Sequence, residues 1–149
     1  MALNVKLSEE ELKFLLESGY LYIDRRELAK AKEVFEGVAA TGQATDVARM
    51  GLANVLTIQG DTKEAEKQLR EALKANPKNA HVQAQLGELL YITGKKEDAV
   101  AALKQAEALD PTGPAAKYAR AVMAAIDEGT VYSYQDPTQP ETAKKAKKK

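Results

Sequence analysis

The chain contains no cysteine, no tryptophan, one histidine and two phenylalanines. Without cysteine, disulfides, thiolate metal sites and a cysteine nucleophile are excluded together, and a reducing compartment is permitted. No run of about 18 apolar residues occurs, so no membrane-spanning helix and no membrane insertion are expected. The opening Met1-Ala2-Leu3-Asn4-Val5-Lys6-Leu7 lacks a basic segment followed by an apolar run, and Glu9, Glu10 and Glu11 come almost at once. It does not read as a signal peptide, which makes the cytoplasm the expected compartment. Net charge is missing too, with 22 basic against 22 acidic residues. Five of the basic ones are Lys144, Lys145, Lys147, Lys148 and Lys149, leaving 17 against 22 elsewhere, or −5. Phosphate contact needs basic residues spread over a folded face, so no specific nucleic-acid partner is expected.

What remains is 149 residues, 44% hydrophobic and 30% charged, enough for one soluble domain with a core and tails. The informative feature is an internal repeat. Leu52-Ala53-Asn54-Val55-Leu56, then Gly60, Ala65, Leu69, Ala72 and Pro77, recurs 34 residues later as Leu86-Gly87-Glu88-Leu89-Leu90, then Gly94, Ala99, Leu103, Ala106 and Pro111. One interval earlier stand Ser18-Gly19-Tyr20-Leu21-Tyr22, then Ala31, Phe35 and Val38, with Gln43 in the place of proline. Each copy reads as two amphipathic helices joined by a turn. Gly19 and Gly87 fall in mid-helix, where glycine costs about 1 kcal/mol against alanine, so close approach of a paired helix is expected there and at Ala53. Ala31, Ala65 and Ala99 should face those positions, with Phe35, Leu69 and Leu103 filling the space one turn on.

The punctuation agrees. Ser8 to Glu11 reads as a capping box, and Gly60 and Gly94 as left-handed helix ends. Asp24-Arg25-Arg26-Glu27 and Asp61-Thr62-Lys63-Glu64 read as caps for second helices, and Asn76-Pro77 and Asp110-Pro111 as breaks between repeats. Residues 114–128 read as a seventh helix, ended by Gly129, that caps the stack.

In spacing and residue type the pattern resembles the tetratricopeptide repeat family over roughly residues 8 to 128, although Leu15, Arg49 and Gln83 stand where that family often has tryptophan. The resemblance implies an all-α fold, a short right-handed solenoid of three helical hairpins plus a C-terminal capping helix. The expected division is a lead over 1–7, the repeat domain over 8–129 with repeats at about 12–45, 46–79 and 80–113, and a lysine-rich tail over 130–149. The three-repeat size, the short lead and the Gly19-Tyr20-Leu21-Tyr22 opening also look like the translocator chaperones of bacterial type III secretion.

No catalytic constellation is visible. His81 has no partnered nucleophile in view, one imidazole with scattered carboxylates does not make a metal site, and there is no Gly-rich phosphate loop. Glu9, Glu10 and Glu11 suit a first helical turn. No cofactor, metal or enzymatic activity is expected. In the family the concave surface comes mainly from the first helix of each hairpin, and helical spacing places Lys13, Leu16, Tyr20, Ile23 and Asp24 on it from the first repeat. The second supplies Val47, Met50, Asn54 and Thr57, and the third His81, Ala84, Glu88 and Tyr91. Leu16, Tyr20, Ile23, Val47, Met50 and Tyr91 lie off the side assigned to hairpin contacts, which suggests a groove for an apolar segment of a partner protein. Heat-shock co-chaperones of the family grip a terminal carboxylate with lysine and asparagine, but Leu16 and Tyr20 occupy the first repeat's sites for these. The function expected is protein binding, as a secretion chaperone or, alternatively, as a scaffold that assembles a complex. Beyond Gly129, Thr130-Val131-Tyr132-Ser133-Tyr134 alternates like an extended strip, expected to dock on the chain itself or on a second copy as a homodimer. A Pro-containing linker, residues 136–140, and the lysines complete the chain.

Overall fold

The computed structural model describes residues 4–130. Among them are seven helices: α1 (Glu9–Asp24), α2 (Leu28–Ala40), α3 (Thr45–Ile58), α4 (Thr62–Ala75), α5 (Ala80–Ile92), α6 (Lys96–Leu109) and α7 (Pro114–Asp127). They form three hairpins, α1/α2, α3/α4 and α5/α6, with α7 packed on α6 and α5. The first helices also touch in sequence, α1 on α3, α3 on α5 and α5 on α7, giving an all-α solenoid.

Helix starts and stops have local causes. Ser8 Oγ accepts from the Glu11 N–H (3.2 Å) while the Glu11 carboxylate accepts from the Ser8 N–H (2.8 Å), two otherwise orphan donors satisfied reciprocally. Asp61 and Asn79 cap α4 and α5 through the N–H groups of Glu64 and Val82. Gly60, Gly94 and Gly129 take φ of 84°, 84° and 67° at the ends of α3, α5 and α7. At the end of α1 the same left-handed position is held by Arg26, φ 62°. Asn76 and Asp110 are extended, as the prolines after them require.

One expected cap is corrected. Asp24 closes α1, and Glu27, at the N-cap of α2, makes no side-chain capping bond. Its carboxylate is drawn instead to the Lys30 ammonium three residues on.

The core is the repeat made physical. Ala31, Phe35 and Val38, then Ala65, Leu69 and Ala72, then Ala99, Leu103 and Ala106 are all buried. Each full burial of a leucine or phenylalanine side chain contributes about 1.5–3 kcal/mol. A Cβ on Gly19 would stand 2.6 Å from Phe35 Cζ, and one on Gly87 2.6 Å from Leu103 Cγ. The mid-helix glycines therefore admit the large residue of the partner helix.

Where prolines stand at the other junctions, Gln43 has a different task. Its Oε1 accepts from the Leu7 N–H (2.8 Å) and its Nε2 donates to the Leu7 carbonyl (2.9 Å). This paired bond holds the N-terminal lead against the turn after α2.

Candidate functional site: the face of the first helices

Helical spacing puts one column of residues from each first helix side by side. Leu16, Tyr20, Ile23, Met50 and Tyr91 are half-buried and pack against the central core, each leaving part of its surface open. Tyr20 is corrected relative to the sequence reading, because its ring lies edge-on to Phe35 (centroids 5.2 Å apart) and so takes part in the hairpin contact. Gly19 is the reason: lacking a side chain, it lets Phe35 rise to the level of its neighbour. Ala84 is corrected as well. It is 1% exposed and belongs to the core, since α7 packs against α5 on this side.

A hydrogen-bonded seam crosses the three repeats. The Tyr20 hydroxyl is bonded to the Asn54 side chain, and Asn54 Oδ1 accepts from Gln85 Nε2 (2.7 Å). Burial pushes the Tyr20 pKa up, the bond to Asn54 pulls it down, and the net shift is upward. Tyr20 is therefore a neutral hydroxyl at ordinary pH.

Next to the seam, Met50, Asn54, His81, Gln85, Glu88 and Tyr118 line a depression of about 270 Å³. Tyr118 comes from α7 and donates to the Glu88 carboxylate. The structure thus brings Met50, Asn54, His81 and Glu88 together. Lys13 lies outside this group, exposed and 3.9 Å from Glu17, and Val47 is half-buried at the start of α3.

Gln85 and Tyr118 were not among the residues anticipated. Tyr118 stands 34 residues after Ala84 and 68 after Met50, so α7 holds the register of a fourth first helix. That register was the signal available for it. The face is apolar toward α1 and polar toward α7, where His81, Gln85, Glu88 and Tyr118 line the depression. Such a surface can hold an extended chain whose apolar side chains meet Leu16, Ile23 and Met50 and whose polar ones meet His81, Glu88 and Tyr118.

A second depression, about 390 Å³, is lined by Leu7, Glu10, Glu11, Phe14 and Leu15 on the outer side of α1. Phe14 is 69% exposed, and Leu21, two turns along, 48%. Among the described residues no group of three or more His, Asp or Glu side chains is placed to hold a metal ion. No helix among them is long and apolar enough to cross a membrane.

Comparison with known proteins places this geometry. PcrH from Pseudomonas aeruginosa superimposes with a TM-score of 0.71 at 19% identity, over 87% of this chain and 98% of that one. The type III secretion chaperone SycD of Yersinia enterocolitica, in complex with a peptide of the translocator YopD, gives 0.70 at 17% identity over 84% and 95%. The first tetratricopeptide domain of Spaghetti (RPAP3), bound to the HSP90 peptide SRMEEVD, gives 0.65 at 16% identity over 83% and 98%. No curated protein matches the chain in sequence. Two tetratricopeptide repeat models match residues 16–80 and 56–123, together 108 of the 149 residues. With three 34-residue hairpins in register, the chain belongs to the tetratricopeptide repeat family.

Proposed function

We propose that this protein binds an extended, apolar segment of a partner protein along the face formed by α1, α3, α5 and α7. The observation that carries the reading is the run of half-open apolar side chains, Leu16, Ile23, Met50 and Tyr91, beside the Tyr20–Asn54–Gln85 seam. Apolar side chains left partly open on one continuous face stabilise a complex when a partner removes them from water. The seam offers hydrogen-bonding groups to the partner's backbone, which fixes its direction. Lys13 and Glu88 border this face and bias the charge of what it accepts, while Val47 extends its apolar lining.

The narrower reading is a secretion chaperone that holds one hydrophobic client in the cytoplasm. Support comes from the likeness to SycD and PcrH, solved with a YopD peptide and with the chaperone-binding region of PopB. A scaffold joining folded proteins is the alternative reading, and the apolar lining favours the chaperone.

Binding to an array of extended apolar peptides tests the proposal. Met50→Lys is expected to reduce binding at least tenfold with the helical circular dichroism unchanged, and undiminished binding by this variant contradicts the proposal. Tyr20→Asp is the poorer probe, since it also removes the ring packed on Phe35.

A further inference from the structure

The depression beside the seam is built by three helices around a single acidic side chain. His81, Gln85 and Glu88 follow one another at spacings of four and three on α5 and so share one face of it, with Met50 and Asn54 on α3 and Tyr118 on α7. Glu88 is half-buried there, and its carboxylate accepts from the Tyr118 hydroxyl. Two other half-buried carboxylates are matched by cations, Glu66 by Lys95 (2.9 Å) and Arg70 (2.8 Å), and Glu107 by Arg120 (2.6 Å). Among the described residues no ion pair reaches Glu88. Gln85 adds a second acceptor. Its Nε2 donates to Asn54 Oδ1 (2.7 Å) and to the Met50 carbonyl (3.4 Å), and its Oε1 receives no hydrogen bond among the described residues.

We propose that this depression is a subsite for one basic side chain, a lysine or an arginine, carried by the bound segment among its apolar residues. The inference rests on the first-helix face being the binding surface and names what that surface selects. A segment lying along the face shields Glu88 from water, and a carboxylate taken out of water is costly unless a cation pairs with it. An apolar side chain over Glu88 therefore weakens the complex, and an acidic one weakens it further by repulsion. A basic one offsets the cost and has Gln85 Oε1 as a further acceptor. The adaptable thioether of Met50 and the ring of Tyr118 suit the methylene stem of such a side chain. Met50 also belongs to the apolar column. Neighbouring packed helices are about 8–10 Å apart and an extended chain rises about 3.4 Å per residue, so the basic residue falls within about three positions of an apolar one.

The test uses the full chain and an uncharged apolar peptide from the array, remade with arginine, leucine or glutamate at each position in turn, with affinities read by fluorescence anisotropy. At one position the wild-type protein is expected to bind the arginine peptide about tenfold more tightly than the glutamate peptide, or better. That ratio is expected to fall below about threefold in Glu88→Gln and to invert in Glu88→Lys. Glu97→Gln removes the same charge at the exposed start of α6, off the face, and is expected to keep the ratio. Each ratio compares two peptides on one protein, so a general loss of affinity in a variant does not imitate the effect. A wild-type ratio near one at every position, a ratio undiminished in Glu88→Gln, or an equal fall in Glu97→Gln each overturns the subsite. Peptides that bind without charge preference leave the apolar face standing and remove the subsite alone, whereas failure of every peptide to bind removes both.

Discussion

Phe35 occupies the position that Leu69 and Leu103 hold in the other hairpins, and its larger ring imposes a second demand on the chain. A Cβ on Gly51 would lie 2.2 Å from Phe35 Cε1, as one on Gly19 would lie 2.6 Å from Cζ. In the next repeat Gln85 stands where Gly51 does, beside the smaller Leu69. Gly51→Ala is therefore expected to destabilise by about 1–3 kcal/mol, in spite of alanine's better helix propensity. In a Phe35→Leu background the same change should cost at most about half as much. A double-mutant cycle by urea unfolding measures the coupling, and additivity would contradict the clash. Gly19 and Gly87 were legible from the repeat register, whereas Gly51 was not, because its cause is the size of one side chain on the preceding helix.

Asp46 is a second residue-level joint. One carboxylate oxygen accepts from Asn76 Nδ2 and Asn79 Nδ2, both at 2.9 Å, so the start of α3 is tied to both sides of the Pro77 turn. Partial burial raises the pKa of this carboxyl, but the bonds from Asn79 and Asn76 and the N–H groups of Val47 and Asp46 outweigh it and hold it below its ordinary value. A depressed carboxyl stabilises the fold above its unfolded pKa, about 3.9, and that contribution is lost as pH falls through the lower folded value. Asp46→Ala should cost about 1 kcal/mol near neutral pH, after discounting the charged hydrogen bonds for solvent exposure. The gap between variant and parent should narrow below about pH 4, as denaturant titrations at the two pH values would show.

At the scale of elements, all four first helices end in the same way. The N–H groups of Glu27, Asp61, Lys95 and Thr130 reach back to the carbonyls of Tyr22, Leu56, Leu90 and Ala125 at 2.8–2.9 Å. This closure needs a left-handed residue just before it, and only the first helix supplies a residue other than glycine, Arg26. A left-handed conformation costs a side-chain-bearing residue about 1–2 kcal/mol, partly offset by glycine's greater freedom in the unfolded chain. Arg26→Gly is thus expected to stabilise the protein by about 0.5 kcal/mol, seen as a higher thermal midpoint; a lower midpoint would mean that arginine's own contacts outweigh the strain. The three glycine ends could be read from sequence because glycine marks the conformation, but the arginine could not, since the cause lies in the helix geometry it must close.

For the molecule as a whole, the two ends of the stack differ. On α7 the positions matching buried Leu86, Gly87 and Leu90 are Arg120, Ala121 and Ala124, all exposed. Arg120 is tied down by Glu107 (2.6 Å) and the Pro111 carbonyl. A polar terminal face is what a solenoid requires where stacking stops. The α1 end keeps Phe14 and Leu21 exposed, so the joint change to serine should alter stability by no more than about 0.5 kcal/mol. A larger loss would place those side chains in contacts absent from the isolated chain. Register alone gave the seven helices of the described residues, and it put Met50, Asn54, His81 and Glu88, which line one depression, on the face proposed here to bind. It missed the contribution of Tyr118, because α7 reads in sequence as a closing helix while its packing on α5 makes it a fourth wall of that face. The stretch from Val131 to Tyr134, expected to dock, lies outside the described residues.

The central claim is that an apolar segment binds on the first-helix face, and methyl chemical shifts of the full chain test it directly during titration with an apolar peptide selected on the array. The account predicts saturable shifts at Ile23 and Met50, on the binding face, with Leu73 and Val100 of the second helices unmoved. Shifts centred on Leu73 and Val100, or a bound peptide that leaves Ile23 and Met50 undisturbed, would contradict it.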